Sequence, residues 1–263
     1  MSVRSLRLAV LAGLALALGV PAVASAGTPG HWRPPAHLTW YWQLQGRIDN
    51  SHSVAAYDVD GFDTSTAEVA RLHRLGRRVV CYIDVGTWEN WRPDSARFPV
   101  SVRGRPNGWP GERWLDVRQP VVRGLMARRF RQQCRGKGFD ALEPDNIDEY
   151  QTNSGFPITA GDQLAYNEWL ARQAHALGLA VVQKNDPDQT GKLEPYFDGV
   201  LAEQCSQYHE CSAFTPYLSA RKPVLDAEYN LPRSGFCAPD RGLGIMAARY
   251  NLALDGRRYE PCW

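Results

Sequence analysis

The chain has 263 residues, with 30 basic side chains against 28 acidic ones and a formal net charge of only +2. So even a balance excludes nucleic acid and anionic membrane surfaces as expected partners, because both reward a clear basic excess. The length is enough to bury one sizeable core, and no internal repeat or low-complexity tract interrupts it.

Arg4 and Arg7 precede an apolar run from Leu8 to Val20, which leads to Pro21 and then Ala24-Ser25-Ala26. A positive start, an apolar centre and an A-x-A site predict a secretory signal peptide over 1–26. The run is short for a membrane span, so no membrane association and a secreted, extracellular protein are expected. Loss of the leader removes two arginines and no acid, which makes basic and acidic residues equal in number. Residues 27–37, rich in Gly, Pro and polar groups, read as a linker, and 38–263 as one catalytic-size domain, expected to be a monomer.

From there, short apolar runs alternate with helical patterns, which predicts repeated βα units and a parallel sheet. Strands are expected over 39–44, 53–58, 79–84, 139–143, 180–184, 199–203, 223–227 and 243–248. Helices are expected over 66–75, 120–134, 161–177 and 206–219. Thr64 or Ser65 is placed to cap the first helix, and Gly76 and Gly178 stand where the first and third should end. Eight strands in this length predict an α/β fold, a (β/α)8 TIM barrel. A doubly wound sheet is the alternative, but no Gly-rich phosphate turn follows the first strand.

Six cysteines in an exported chain predict disulfides rather than metal ligands. Cys81 alternates with Asp84 and so points toward the helices, where Cys134 ends a predicted helix. Cys205 with Cys211 and Cys237 with Cys262 are the remaining expected pairs. The long connection from Val85 to about Gln119 carries Trp88, Trp91, Trp109 and Trp114. Flat aromatic faces suit the apolar faces of sugar rings, with Trp88 as the named candidate; packing of the loop onto the barrel is the plainer use of each.

The strongest chemical signal is Phe139-Asp140-Ala141-Leu142-Glu143-Pro144-Asp145-Asn146-Ile147-Asp148. Strand alternation puts Ala141, Glu143 and Asp145 on one face, delivering acids to the carboxyl end of a buried strand. Other predicted strands also end in polar groups: Asp58 and Asp60, Asp84, Lys184 with Asn185, Glu203, and Asp226 with Glu228. Acids gathered at one rim are disfavoured unless chemistry uses them. A pair with unequal proton affinity is what glycosidic cleavage requires, one to protonate the leaving oxygen and one to attack or activate water. The six histidines form no metal-ligand pair, and no nucleophile elbow or phosphate loop occurs, so neither metal nor cofactor is expected. His73 and His175 read as surface or packing residues on helices.

The segments Trp40–Gly46, Cys81–Gly86, Glu143–Asp148, Lys184-Asn185 and Ala202–Cys205 together resemble glycoside hydrolase family 114, the endo-α-1,4-polygalactosaminidases. The resemblance implies a barrel whose catalytic acids are Asp145, as nucleophile or base, and Glu203, as general acid. It implies a polysaccharide partner, a cationic galactosamine polymer, for which an acidic rim makes electrostatic sense. Asp58, Asp60, Asp84 and Glu228 are candidates for holding amino groups or hydroxyls, with backbone capping as their plainer role. Tyr82 and Asn146, inside the matching segments, are carried as substrate-binding positions. Lys184 is expected to pair with an acid and tune it, Glu143 to support from behind, and Asp148 to cap or touch sugar. A non-catalytic carbohydrate-binding barrel, or a glycosidase acting on another α-linked glycan, are the competing readings. Retention or inversion of configuration is left open.

Overall fold

The computed structural model describes residues 30–263, so the expected leader lies outside the described residues. In chain order the strands are β1 (Trp40–Gln43), β2 (Ala56–Asp60), β3 (Arg78–Asp84), β4 (Thr87–Glu89), β5 (Arg103–Pro106), β6 (Glu112–Leu115), β7 (Ala141–Asp145), β8 (Ala180–Lys184), β9 (Gly199–Glu203), β10 (Val224–Glu228), β11 (Met246–Tyr250) and β12 (Tyr259–Pro261). The helices are α1 (Thr66–Arg74), α2 (Pro120–Arg129), α3 (Ala160–Ala176), α4 (Thr190–Leu193), α5 (Cys205–Tyr208), α6 (Thr215–Ser219) and α7 (Arg233–Leu243).

Eight of the strands run parallel in the order β1-β2-β3-β7-β8-β9-β10-β11, the sequence of a βα barrel. The seam between β11 and β1 has no strand ladder. There β12 lies antiparallel on β11, Trp40 Nε1 donates to the Met246 carbonyl at 2.8 Å, and Tyr259 Oη donates to the Trp40 carbonyl at 2.8 Å. Aromatic side chains thus bridge what backbone pairing leaves open. Inside, Trp40, Val80, Val182 and Leu225 fill the barrel and leave a void of only about 10 Å³, so the interior is a packed core.

Helix α1 is capped by Ser65, whose hydroxyl accepts from the Glu68 N–H, and α3 by a reciprocal Thr159–Asp162 capping box. Helix α2 ends in a wide turn, Phe130–Cys134, that brings Cys134 to Cys81. The Cys205–Cys211 and Cys237–Cys262 bonds complete the three expected pairs. The helix expected over 206–219 is instead α5, a short 3-10 turn and α6, because the Cys205–Cys211 bridge closes a tight loop and Pro216 opens a new first turn. Helix α7 was not expected, since Gly235 and Pro239 disguise its pattern. The long connection after β3 folds as its own sheet, β4-β6-β5.

The segment read as a linker is docked against the amino-terminal mouth of the barrel. Trp32 packs on Val80, Ala141 and Ala180, and His31 Nε2 lies 2.9 Å from Asp198 Oδ1. His175 Nε2 lies 2.9 Å from the other Asp198 oxygen, and the two imidazoles stack with centroids 4.2 Å apart and planes 10° apart. These three side chains come close enough together to hold a metal ion. Near-parallel rings, however, aim their nitrogen lone pairs side by side rather than at one point, so the geometry is that of a hydrogen-bonded clasp.

Candidate active site

Five of the acids expected at the rim are the last residues of their strands, Asp60 on β2, Asp84 on β3, Asp145 on β7, Glu203 on β9 and Glu228 on β10, whereas Asp58, Glu143 and Asp226 each lie two residues earlier on their strands. Lys184 ends β8, between β7 and β9, the two strands that carry the expected catalytic pair. Immediately after Asp145, Lys184 and Glu203 the chain turns sharply through Asn146, Asn185 and Gln204, with φ of 59°, 44° and 61°. Three non-glycine residues in the left-handed region at equivalent positions are costly, and such strain concentrates at functional sites. Gly86 is forced by the first of these turns, since a Cβ there would lie 1.8 Å from the Asn146 carbonyl oxygen.

A cleft of about 430 Å³ opens above these strand ends. At its floor Lys184 Nζ lies 2.8 Å from Asp145 Oδ1, 3.1 Å from Glu203 Oε2 and 3.3 Å from Glu143 Oε1, with the ammonium 4.8 Å above the centre of the Trp42 ring. Asp145 also accepts from Tyr82 Oη at 2.8 Å and from the Asn146 N–H at 2.9 Å. Burial pushes the Asp145 carboxyl up, but the Lys184 ammonium and these hydrogen bonds outweigh it and hold Asp145 below its ordinary value. Asp145 is therefore ionised at neutral pH. Glu203 accepts from Tyr229 Oη and, at 3.1 Å, from Asn185 Nδ2, while the Asn185 amide oxygen accepts the Glu203 N–H at 2.8 Å. Burial, offset by its three acidic neighbours, leaves Lys184 well above its ordinary value and firmly charged.

Of the residues expected to bind substrate, Tyr82, Asn146, Lys184 and Asp60 line this cleft. Asp60 is already engaged, accepting both Arg92 guanidinium nitrogens at 3.1 and 2.6 Å. Four expectations do not hold. Asp58 points into the barrel below the cleft and is buried. Asp84 is spent on the loop that follows it, accepting from the Gly86 and Thr87 N–H groups, the Thr87 hydroxyl and Asn146 Nδ2. Glu228 faces outward, because the inward positions of β10 and its extension are Leu225, Ala227 and Tyr229; its carboxylate accepts the Ser206 and Gln207 N–H groups instead. Trp88 faces away for the same reason of alternation: its neighbour Glu89 lines the cleft, while its own N–H donates to the Ser95 carbonyl and Arg103 covers its ring at 4.3 Å.

The β4-β6-β5 sheet supplies what sequence reasoning left unspecified. Trp91 and Trp109, each 52 % exposed, stand at the cleft with Glu112. Tyr229 was missed although it lies one residue beyond Glu228; the strand period, counted from Leu225, would have found it.

The model of the glycoside-hydrolase family GH114 matches residues 21–261. The chain belongs to glycoside hydrolase family 114. It is accordingly a glycoside hydrolase, which sets aside a barrel that only binds. Its fold is similar to that of Ega3 from Aspergillus fumigatus, solved in complex with galactosamine, with a TM-score of 0.84 and 30% identity over 90% of this chain and 100% of that one. The glycoside hydrolase domain of PelA from Pseudomonas aeruginosa shares the fold at a TM-score of 0.65 and 15% identity, covering 85% of this chain and 97% of that one. An uncharacterised protein of Deinococcus radiodurans is 24% identical over 243 residues, 80% of this chain and 78% of the relative.

Proposed function

We propose that this family 114 hydrolase cleaves α-1,4-linked galactosamine polymers from within the chain, with Asp145 as nucleophile and Glu203 as general acid and base. The observation that carries the reading is the sharing of one ammonium, Lys184 at the end of β8, by the two cleft-facing carboxyl groups on the flanking strand ends, Asp145 on β7 and Glu203 on β9. Both facing oxygens lie within about 3 Å of the same nitrogen, so they are no more than about 6 Å apart. That bound on the nearest oxygens is compatible with the carboxyl spacing of about 5–5.5 Å that a retaining mechanism uses, and retention is the course proposed here. Asp145 would attack the anomeric carbon as Glu203 protonates the departing oxygen. Glu203 would then take a proton from the water that releases the sugar from Asp145.

Charge supports the cationic substrate. Seven carboxyl side chains line the cleft against two cations, Arg92 and Lys184. Arg92 is neutralised by Asp60 and Glu89, whereas Glu112 and Asp148 have no basic partner among the described residues. Ammonium groups on the sugar would complete that balance. Ega3 binds galactosamine in its solved complex, and this chain's overlap with it is consistent with the same sugar here. No described helix is long and apolar enough to cross a membrane; with three disulfides and the expected leader, this fits an exported enzyme. The test is incubation with de-N-acetylated and fully N-acetylated α-1,4-galactosamine polymers, followed by mass analysis. The reading expects a ladder of oligomers from the first and little from the second. Equal cleavage of both, or release of monomer alone, would contradict it.

A further inference from the structure

Beneath the catalytic acids, the barrel interior holds a second pair of carboxyl groups. Glu143 on β7 and Asp58 on β2 are 0 % and 4 % exposed and approach each other closely enough to share a hydrogen bond. Neither Glu143 oxygen, nor Asp58 Oδ1, receives a hydrogen bond from an N–H or O–H group among the described residues. The nearest positive charge is Lys184 Nζ at 3.3 Å, which is closer to Asp145 and Glu203. If all four carboxyls were ionised, one ammonium would face four negative charges, two of them on the buried Glu143 and Asp58 side chains. A single proton between Asp58 and Glu143 turns their repulsion into a hydrogen bond and accounts for the oxygens that no donor serves.

We propose that Asp58 and Glu143 hold one proton between them and act as positioning residues, keeping the charge beneath Lys184 low so that its ammonium stays with Asp145 and Glu203. The groups facing the pair are Lys184 on β8, Asp145 on β7, Glu203 on β9, Tyr250 on β11 and Tyr229 just beyond β10. Burial, opposed by Lys184 and reinforced by Asp145, pushes the Glu143 carboxyl up to about 7. Burial and the neighbouring Glu143 raise Asp58 well above the ordinary carboxylate range. As pH rises through that region the shared proton leaves. An ionised Glu143 then competes for Lys184, and activity falls on the alkaline side.

Two isosteric amides separate this role from simple packing. Glu143→Gln replaces the protonated acid permanently: its NH2 donates to Asp58 and its oxygen leaves Lys184 to the catalytic pair. The alkaline limb of kcat/KM should move up by about one pH unit or more. Asp58→Asn places the donor on the other side and leaves Glu143 ionised under Lys184, so kcat should fall about tenfold or more at neutral pH. A packing role predicts the same effect from both variants, and matching pH profiles in wild type and both variants would overturn the proposal. The activity measurement rests on the galactosaminidase reading, so a substrate-free one accompanies it. Infrared difference spectra at neutral pH should show a protonated carboxylic acid band in the wild type that is lost in both variants. Persistence of that band in both would overturn the shared proton; its loss in a protein that cleaves no galactosamine polymer would fault the substrate reading alone.

Discussion

The two mouths of this barrel use the same side chains to opposite ends. At the amino-terminal mouth, Asp140 accepts from the Val79 N–H at 2.9 Å and pairs with Arg78 and His73 at 2.6 and 2.8 Å. Asp198 likewise accepts the Val181 N–H at 2.9 Å and meets His31 and His175. There donors match acceptors, and although burial alone would raise Asp198, the His175 hydrogen bond and its other donors hold it below its ordinary value. At the carboxyl-terminal mouth Lys184 is shared by three carboxyls, with Asp58 behind them. A saturated acid is a fastener, and an unsaturated one retains proton affinity that chemistry can use.

The comparison breaks most visibly at Lys184. Lys184→Met removes the charge that holds Asp145 ionised, so kcat/KM should fall about 10²–10³-fold. The carboxyl of Asp145 should then titrate higher, moving the acid limb of the pH–rate profile upward. An unshifted acid limb would mean that Lys184 does not set the ionisation of Asp145. A smaller and different effect is expected from Asp198→Asn at the other mouth. It should cost about 1 kcal/mol of stability in denaturant unfolding, because a half-buried acceptor loses its charge-assisted partners. Its kcat should equal that of the wild type; a reduced kcat would mean that the two mouths are coupled.

Most of the barrel could be read from the chain because parallel strands buried on both sides are continuous apolar runs. Residues 180–184 and 199–203 are strands to the residue, and the alternation of Ala141, Glu143 and Asp145 put two acids inward as expected. The site was less legible, for one recurrent reason. Glu228 and Trp88 have the right chemistry on the wrong face, and a shift of one residue along a strand reverses its side chains. Asp84 failed differently: hydrogen bonds to its own following turn cannot be told from sequence apart from bonds to a ligand. Strand β2 runs two to three residues later than expected, which carries Asp58 from the rim into the interior. Glu112 reaches the cleft through a sheet inside a loop, which leaves no periodic trace, and Tyr229 through an extension of the strand period beyond the expected end at 227.

The central claim is that Asp145 is the nucleophile and Glu203 the proton donor around one sugar linkage. The most direct measurement is the intact mass of the Glu203→Gln variant after brief exposure to α-galactosaminyl fluoride, with the modified peptide mapped. A covalent sugar on Asp145 is predicted, since the fluoride needs no acid to leave and the second step lacks its base. An unmodified protein that releases the β-anomer would contradict it, because water would then have attacked the sugar directly.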